Sequence, residues 1–418
     1  MDGKFIHSVT LDKDLCKGCT NCVKRCPTEA IRVRDGKAAI TKERCIDCGE
    51  CIRVCPHHAK KAVVDTLEGV KGFKYLIALP APTLYGQFKK VEDIDTILAA
   101  LKKIGFDDVF EVALAADAIS AQTAKLLKAG KLKLPAISSA CPAVLRIIRV
   151  RFPELIPNVV TIRAPMEFAA RWAREQAVAK TGFAPDEIGC VFITPCPAKA
   201  TSAHAPLSAE KSAVNAVVSI EDIYPLLLGA LKGAQSETLA EAGSVGIGWA
   251  TSGGECAGIK RQNYMAADGM ENVISVLEAL EDDKITDVDF IELNACVGGC
   301  VGGVLTVESP FIARGRIKRL SDRHKKNSPK GVPLGEIMWN KSLTYEPVMR
   351  LDEDVAAAME KLERIRELEE NFNGMDCGAC GAPSCRAMAE DIVSGAASED
   401  MCIYRIREKL QSLLAENV

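Results

Sequence analysis

Between about residue 72 and residue 312, short apolar runs alternate with amphipathic stretches. Runs of this length indicate buried strands, and the stretches between them have the periodicity of helices. The predicted strands are 75–79, 134–137, 188–193, 244–247 and 289–293. The predicted helices are 91–103, 118–127, 165–180, 220–231 and 272–280. Because strand and helix alternate, we expect an α/β domain with mainly parallel sheets.

The two ends of the chain follow other patterns. The first 65 residues read as short strands and turns around closely spaced cysteines. Residues 313–350 are basic, then polar, and contain prolines, which is typical of a linker. Helices are predicted at 355–370 and 399–414, on either side of a last group of cysteines. The predicted domains are therefore 1–65, 66–350 and 351–418.

Composition narrows the class of protein. Hydrophobic residues make up 48% of the chain, enough for a large core, and a net charge of −3 gives no support for nucleic-acid binding. The opening residues lack the regions of an export signal, and no apolar stretch is long enough to span a membrane. The 18 cysteines then point to metal ligation in a reducing, anaerobic cytoplasm rather than to disulfides.

The N-terminal segment contains the spacing C-x2-C-x2-C-x3-C-P twice. In this spacing a tight turn aims three thiolates at one cubane, and the fourth ligand comes from the other half of the domain. The two expected ligand sets are Cys16, Cys19, Cys22 with Cys55, and Cys45, Cys48, Cys51 with Cys26. The segment resembles bacterial two-cluster ferredoxins, which implies a small α+β domain with two [4Fe–4S] clusters. A zinc site is the alternative.

A further group of four cysteines lies near the C-terminus, at Cys377, Cys380, Cys385 and Cys402. Its spacing resembles the small [4Fe–4S] domain of membrane electron-transport ferredoxins and corrinoid iron–sulfur proteins, with zinc as the alternative. A helix starting near Ser384 would carry the third ligand. Because this group follows a predicted linker, we expect its cluster to be a second electron port for a partner. The last helix is a candidate for homodimer contact or for packing on its own cluster domain.

Four more cysteines lie in loops of small residues after predicted strands: Cys141, Cys196, Cys296 and Cys300. Ligands of open α/β folds collect at the carboxyl ends of strands, and small residues let the backbone approach a bulky cofactor. Four thiolates from three strand ends can hold one cubane.

These loops match the three signature loops of the [FeFe]-hydrogenases in order and internal spacing, and the central segment resembles that family over about residues 75–310. The resemblance implies a two-lobed domain around an H-cluster, a cubane joined through one thiolate to a two-iron unit with CO and cyanide ligands. Cys300 would be the bridging thiolate, and Lys199 would donate a hydrogen bond to an iron-bound cyanide. The remaining implied cofactor-lining residues are Pro82, Thr83, Pro165 and Ser252.

The departures from that family concern proton delivery. Efficient members have a second cysteine directly before the first ligand, where this chain has Ala140. The family's relay serine corresponds to Val160, and residues 118–140 contain no acid. Proton transfer needs groups within hydrogen-bond reach, so the usual route is absent. Cys256 is a candidate for another proton carrier or for a packed thiol.

Two other side chains, Glu255 and His204, are weaker relay candidates. Thr194 and Asn294 replace the methionines that normally precede the second and third ligand loops, so the shell around the two-iron unit is more polar. This pattern resembles the sensory branch of the family, in particular members without a PAS domain.

We therefore expect a slow, reversible hydrogenase that uses H2 and protons as substrates and serves in H2 sensing or redox signalling. Its expected cofactors are four [4Fe–4S] clusters and, if matured, the two-iron unit. Its expected partners are a redox or signalling protein and the hydrogenase maturation proteins. The rival hypothesis is a non-catalytic electron-transfer or cluster-assembly protein of the same fold.

Overall fold

A computed structural model describes residues 7–232, 237–259, 263–324 and 337–416. Contacts between residues divide this part of the chain into two compact units. The large unit comprises Val63–Tyr345 with Asp47–Gly49 and the residues up to Ser8. The small unit comprises Val9–Ile46, Glu50–Ala62 and the chain from Glu346 onward.

Eleven strands and fifteen α-helices lie in the described residues. The strands are β1 Val9–Leu11, β2 Ile31–Arg34, β3 Lys37–Ile40, β4 Lys60–Ala62, β5 Tyr75–Pro80, β6 Asp108–Val109, β7 Ala136–Ile137, β8 Ile188–Thr194, β9 Ala216–Ser219, β10 Tyr264–Asp268 and β11 Phe290–Asn294. The helices are α1 Asn21–Lys24, α2 Glu50–Arg53, α3 Ile94–Lys103, α4 Val112–Lys128, α5 Pro142–Arg151, α6 Pro165–Thr181, α7 Pro197–His204, α8 Ile220–Leu231, α9 Ser244–Gly248, α10 Gly254–Ile259, α11 Met270–Glu281, α12 Pro310–Arg323, α13 Val355–Asn371, α14 Cys385–Val393 and α15 Ile403–Glu416.

The large unit contains two parallel sheets. One has the strand order β6-β5-β8-β9 and the other β10-β11-β7. All seven residues of β8 are buried, as expected for a central strand covered on both faces by helices. Helix α6 begins with Pro165 and ends before Gly182, which adopts a positive φ of 73°. The predicted α/β class with parallel sheets is confirmed.

The small unit contains two antiparallel strand pairs, β1 with β4 and β2 with β3, together with the short helices α1 and α2. Its C-terminal part consists of helices α13, α14 and α15. The buried residues Ile365, Leu368, Phe372 and Met388 form the core between α13 and α14. Ser384 caps α14 by accepting a hydrogen bond from the amide of Ala387, so this predicted helix start is confirmed.

Two predictions about secondary structure are wrong. Residues 244–247 form helix α9 and not a strand, because Asp117 accepts hydrogen bonds from the amides of Gly243 and Gly246 at 2.6 and 2.8 Å. This cap comes from a distant helix, so the local pattern could not indicate it. The predicted linker starts too early, since α12 continues to Arg323 and buries Ala313 and Leu320. The middle of that linker, 325–336, lies outside the described residues.

Across the ranges described, no helix is long and apolar enough to cross a membrane.

Candidate metal centre

The four central cysteines lie in the loops that follow strands β7, β8 and β11 of the large unit. Cys141 is the residue before α5, after β7, and Cys196 is the residue before α7, after β8. In both places a proline is the first helical residue, where no amide donor is needed. Cys296 and Cys300 lie in the loop after β11. The thiols therefore come from the carboxyl ends of strands in both parallel sheets.

These four cysteines line one cavity with an empty volume of about 930 Å³. The other predicted cofactor-site residues along its wall are Pro82, Thr83, Pro165 and Lys199. Two other predicted site residues, Ser252 and Cys256, are not among the described residues that line this cavity. The structure thus brings most of the predicted central site together, with two exceptions.

Ser252 holds the cysteine loop in place through its backbone. Its amide donates a hydrogen bond to the carbonyl oxygen of Gly298 at 3.1 Å. The approach is so close that a Cβ atom at Gly299 would lie 2.4 Å from the Ser252 nitrogen. A Cβ atom at Gly303 would lie 2.3 Å from the carbonyl oxygen of Pro195. Glycine is therefore required for this loop to fit between its neighbours.

Lys199 and Thr194 connect the cysteine loops. Lys199 lines the cavity, and its Nζ donates a hydrogen bond to the carbonyl oxygen of Ala140 at 2.6 Å. The amide of Cys196 donates to the hydroxyl of Thr194 at 3.2 Å, so Thr194 orders its own loop. Asn294, the other predicted polar replacement, does line the cavity.

Burial disfavours thiolates in this cavity unless a cation compensates them. Desolvation raises the pKa of Cys196 to about 11 and that of Cys300 to about 12. The charge of Lys199 opposes the rise at both thiols without cancelling it. Metal binding needs deprotonated cysteines, and a positively charged metal core supplies the missing compensation. The donor set therefore fits an iron–sulfur cluster.

Two acids, Glu255 and Glu292, line the same cavity close to Ala140. Ser138 donates a hydrogen bond to the carboxylate of Glu255 at 2.5 Å, and the amide of Ala140 donates to the Ser138 hydroxyl at 3.2 Å. Burial, and then the charge of Glu292, raises the pKa of Glu255. The pair therefore holds a proton at pH values where an ordinary carboxyl has lost it.

Glu292 is a site residue that the sequence reasoning missed. Its carboxylate accepts hydrogen bonds from the amides of Gly253 and Cys256, both at 3.0 Å, and from the side chain of Asn294 at 2.8 Å. These bonds fix the turn that carries Glu255. The available signal was the single acid of strand β11, which lies between the apolar residues Ile291 and Leu293.

The other two relay candidates lie elsewhere. The thiol of Cys256 donates to the carbonyl oxygen of Met265 at 3.5 Å, and burial, followed by the charge of Glu292, raises its pKa far above the ordinary value. This arrangement favours the packed thiol over the proton carrier, the two alternatives that the sequence left open. His204 forms an ion pair with Asp65 at 3.2 Å and is absent from the described cavity wall.

In the small unit, a second cavity of about 330 Å³ has four cysteines on its wall. They are Cys16, Cys19, Cys22 and Cys55. This is the first ligand set that the sequence predicts, including the exchange of the fourth cysteine. Of the second set, Cys51 lies near Cys26, and Cys48 belongs to the large unit, where it lines the central cavity. The first ligand set therefore lines one cavity, and the second ligand set stays a prediction.

Lys60 is a buried cation next to these cysteines. It lines the second cavity with 3% of its surface exposed, and its Nζ has no hydrogen-bond partner among the described residues. Burial raises the pKa of the Cys22 and Cys51 thiols, and the charge of Lys60 is the largest effect opposing it. A buried, unpaired ammonium is costly, so an anionic cluster is the counter-charge that this site needs.

A third cavity of about 340 Å³ lies in the C-terminal part of the small unit. Its wall contains the four cysteines predicted there, Cys377, Cys380, Cys385 and Cys402. Each of the two smaller cavities is thus bordered by four cysteines, as a single cubane requires.

A cysteine-lined cavity between two parallel sheets, with two four-cysteine cavities in a separate unit, defines an iron–sulfur redox protein. The profile of the iron-only hydrogenase large subunit, C-terminal domain, matches residues 74–242 and 231–304. A 4Fe–4S dicluster domain matches residues 8–56, and the FeS family of cluster segments matches residues 373–404. The chain belongs to the iron-only hydrogenase family.

Curated relatives and solved structures agree with this assignment. The chain is 32% identical over 217 residues to the periplasmic [Fe] hydrogenase large subunit of Nitratidesulfovibrio vulgaris, covering 47% of this chain and 52% of the relative. It is 23% identical over 285 residues to iron hydrogenase 1 of Clostridium pasteurianum, covering 55% and 50%. The chain thus spans about half the length of these relatives.

The fold also matches that of the [FeFe]-hydrogenase HydA1 from Chlamydomonas reinhardtii. The TM-score is 0.50 at 16% identity, over 66% of this chain and 95% of that structure. At this identity the likeness concerns the fold alone.

We predict that Lys60→Met makes the reduction potential of the N-terminal clusters more negative, because the buried ammonium stabilises the added electron. The expected shift is on the order of tens of mV, where ~59 mV corresponds to a tenfold change for one electron. A redox titration followed by electron paramagnetic resonance (EPR) measures it. The control is Lys61→Met, whose exposed ammonium pairs with Asp12 at 2.9 Å. Equal potentials in all three proteins would contradict the assignment.

Proposed function

We propose that the chain slowly interconverts H2 with protons and electrons in the central cavity. The size and lining of that cavity carry the proposal. Its volume of about 930 Å³ is between two and three times the 330 and 340 Å³ of the two other four-cysteine cavities. This difference in volume supports a further group beside a cubane held by four thiolates.

The residues around that further group have separate roles. Cys141, Cys196, Cys296 and Cys300 would hold the cubane, and Cys300 would also attach the two-iron unit. When bound, the two-iron unit supplies the open iron site for H2 chemistry. The ammonium of Lys199 lies in the wall, where it can donate a hydrogen bond to an anionic cyanide. The apolar wall formed by residues such as Pro82 and Pro165 excludes water.

Proton delivery in this proposal runs through Glu255 instead of the missing cysteine. Ala140 lines the cavity without a titratable group, whereas Glu255 lines the same wall with a carboxyl that keeps its proton. Ser138 holds this carboxyl in place, and Glu292 fixes the turn below it. A route built on one buried acid and one hydroxyl supports slow turnover.

Electrons would pass through three further cubanes, so that sixteen cysteines hold four [4Fe–4S] clusters in total. Cys16, Cys19, Cys22 and Cys55 line one of the cavities that would hold these cubanes, and Cys377, Cys380, Cys385 and Cys402 line another. The external partner would be a redox or signalling protein, and maturation proteins would supply the two-iron unit. The eighteen free thiols fit a reducing cytoplasm.

Slow turnover and the polar residues near the cofactor support a role in sensing H2 rather than in bulk H2 metabolism. The rival is a protein that carries only cubanes. A protein that carries only cubanes would contain no further group in the additional volume. Lys199, Glu255 and Glu292 would then have no cofactor ligand or substrate to interact with.

We predict that Cys300→Ala, in protein matured with the two-iron unit, keeps the N- and C-terminal clusters and loses all carbonyl and cyanide infrared bands. The thiolate bridge is the proposed attachment point of the two-iron unit. Cys190→Ala is the matched control, since this thiol is buried in β8 and donates to the Ala170 carbonyl oxygen at 3.4 Å. Normal bands in Cys300→Ala would refute the bridging role.

We predict that Glu255→Gln lowers the rate of H2–D2O exchange by roughly 10²–10⁴-fold while the infrared bands remain, because a positioned proton-transfer group is lost. Because burial raises the pKa of Glu255, this carboxyl loses its proton at higher pH than an ordinary carboxyl does. The exchange rate of the wild type should therefore fall as the pH rises through that pKa, and the rate of the variant should not. Glu278→Gln, an exposed change beside Arg151, serves as control. Unchanged exchange in Glu255→Gln would exclude this route.

A further inference from the structure

The C-terminal cysteine cavity lies against the strand that borders the N-terminal cavity. Both belong to the small unit. Val33 of β2 lines the cavity of Cys16, Cys19, Cys22 and Cys55, and its amide donates a hydrogen bond to the carbonyl oxygen of Gly381 at 2.9 Å. Gly381 directly follows Cys380, which lines the C-terminal cavity. One residue and one backbone hydrogen bond therefore separate the two sites.

The approach at Gly381 leaves no space for a side chain. Gly381 has a φ of +80°, and a Cβ atom there would lie 1.9 Å from the carbonyl oxygen of Val33. Such close backbone contact requires glycine. The backbone of the turn that contains Cys380 and Gly381 therefore packs directly against β2.

Basic side chains of the N-terminal segment hold the same turn. Arg34 donates to the carbonyl oxygen of Cys380 at 3.0 Å. Lys24, two residues after the ligand Cys22, donates to the carbonyl oxygen of Pro383 at 2.9 Å and also to that of Asp376. These bonds join the backbone around one set of predicted ligands to side chains next to the other set.

An ion-pair cluster fixes the orientation of α14 on β2. The carboxylate of Asp391 accepts from Arg32 at 2.7 Å and from Arg34 at 2.5 Å. The three side chains are largely buried, with exposures of 13%, 21% and 13% for Arg32, Arg34 and Asp391. A shared, partly desolvated carboxylate is a stronger tether than an exposed surface pair.

We infer that the C-terminal cluster exchanges electrons directly with the cluster of Cys16, Cys19, Cys22 and Cys55, as a relay in series. The inference rests on the proposed function, because it needs both clusters. One electron leaves the reduced C-terminal cluster and enters the oxidised N-terminal one, or the reverse, with no proton or bond change. The expected electron port for a partner stays a prediction, and the inference adds that this port passes its electrons on to the N-terminal cluster.

The exposure of the ligands shows which side a partner would use. Cys377 is exposed, whereas Cys380 lies on the side of β2. A one-electron redox protein would therefore meet the C-terminal cluster at Cys377. The cluster has an outer side for the partner and an inner side for the N-terminal relay.

The first test compares EPR spectra of the fully reduced, iron-loaded full chain with those of Cys377→Ser/Cys380→Ser. Two paramagnetic clusters this close interact magnetically. We expect the wild-type N-terminal resonances to be broadened and to narrow when the C-terminal cluster is removed. Resonances of identical shape in both proteins would overturn the relay. Iron analysis establishes that the wild type carries both clusters, and the carbonyl and cyanide infrared bands test the proposed function separately, so that failure of the relay and failure of the proposed function are distinguishable.

The second test disturbs the contact and leaves every ligand in place. Asp391→Arg places a cation against Arg32 and Arg34, and we expect loss of the broadening and faster hydrogen exchange in the peptide containing Val33. The control is Glu367→Arg, the same charge change at an exposed pair with Arg364 on α13. Faster exchange with full retention of the broadening in Asp391→Arg would overturn the inference. If hydrogen exchange at Val33 stays slow in Asp391→Arg, the contact has not opened, and Gly381→Val is tested instead. In that variant the contact between Val33 and Gly381 must open and the broadening of the N-terminal resonances must disappear.

Discussion

Buried thiols can bind metal only as thiolates, and a buried thiolate needs a positive charge beside it. This constraint explains much of the architecture. The fold brings cysteines to cavities at strand ends and tight turns, and the most buried of these thiols are kept protonated by desolvation. Cys196 and Cys300 show the effect through their raised pKa values. The iron–sulfur core that the family binds supplies the charge that makes these cavities stable.

The same electrostatic argument explains why two lysines lie near the cysteines. Lys60 has a buried ammonium without a hydrogen-bond partner in the described ranges, and Lys199 reaches the central cavity wall. Burying either ammonium group beside neutral thiols would cost free energy, whereas an anionic cofactor would stabilise the charge. The acids are distributed differently. Burial raises the pKa of both Glu255 and Glu292, so the central cavity contains a cation and two acids that keep protons to higher pH than ordinary carboxyls do.

Local signals in the sequence were sufficient for the cysteine sites. Cysteine followed by proline at a strand end marks a candidate ligand next to a helix start, and both Cys141 and Cys196 directly precede helices that begin with proline. The doubled N-terminal spacing likewise predicted that Cys55 joins the first three cysteines. Such information is local, or it comes from a repeat, so no tertiary contact is needed to read it.

Contacts between distant residues decided what the sequence did not reveal. Helix α9 depends on a cap from Asp117, more than 120 residues earlier in the chain. Glu292 interacts with a turn about 36 residues away, so a lone acid in a strand gave little warning of its role. The contact between Val33 and Gly381 joins opposite ends of the chain. A sequence pattern describes faces and turns, but it does not say which faces meet.

The infrared spectrum of the matured wild-type chain tests the central claim most directly. A cavity that holds a cubane and a two-iron unit should give carbonyl and cyanide bands, and these bands should shift when argon is replaced by H2. A preparation with all four cubanes, exposed to the maturation proteins and still lacking those bands, would contradict the account.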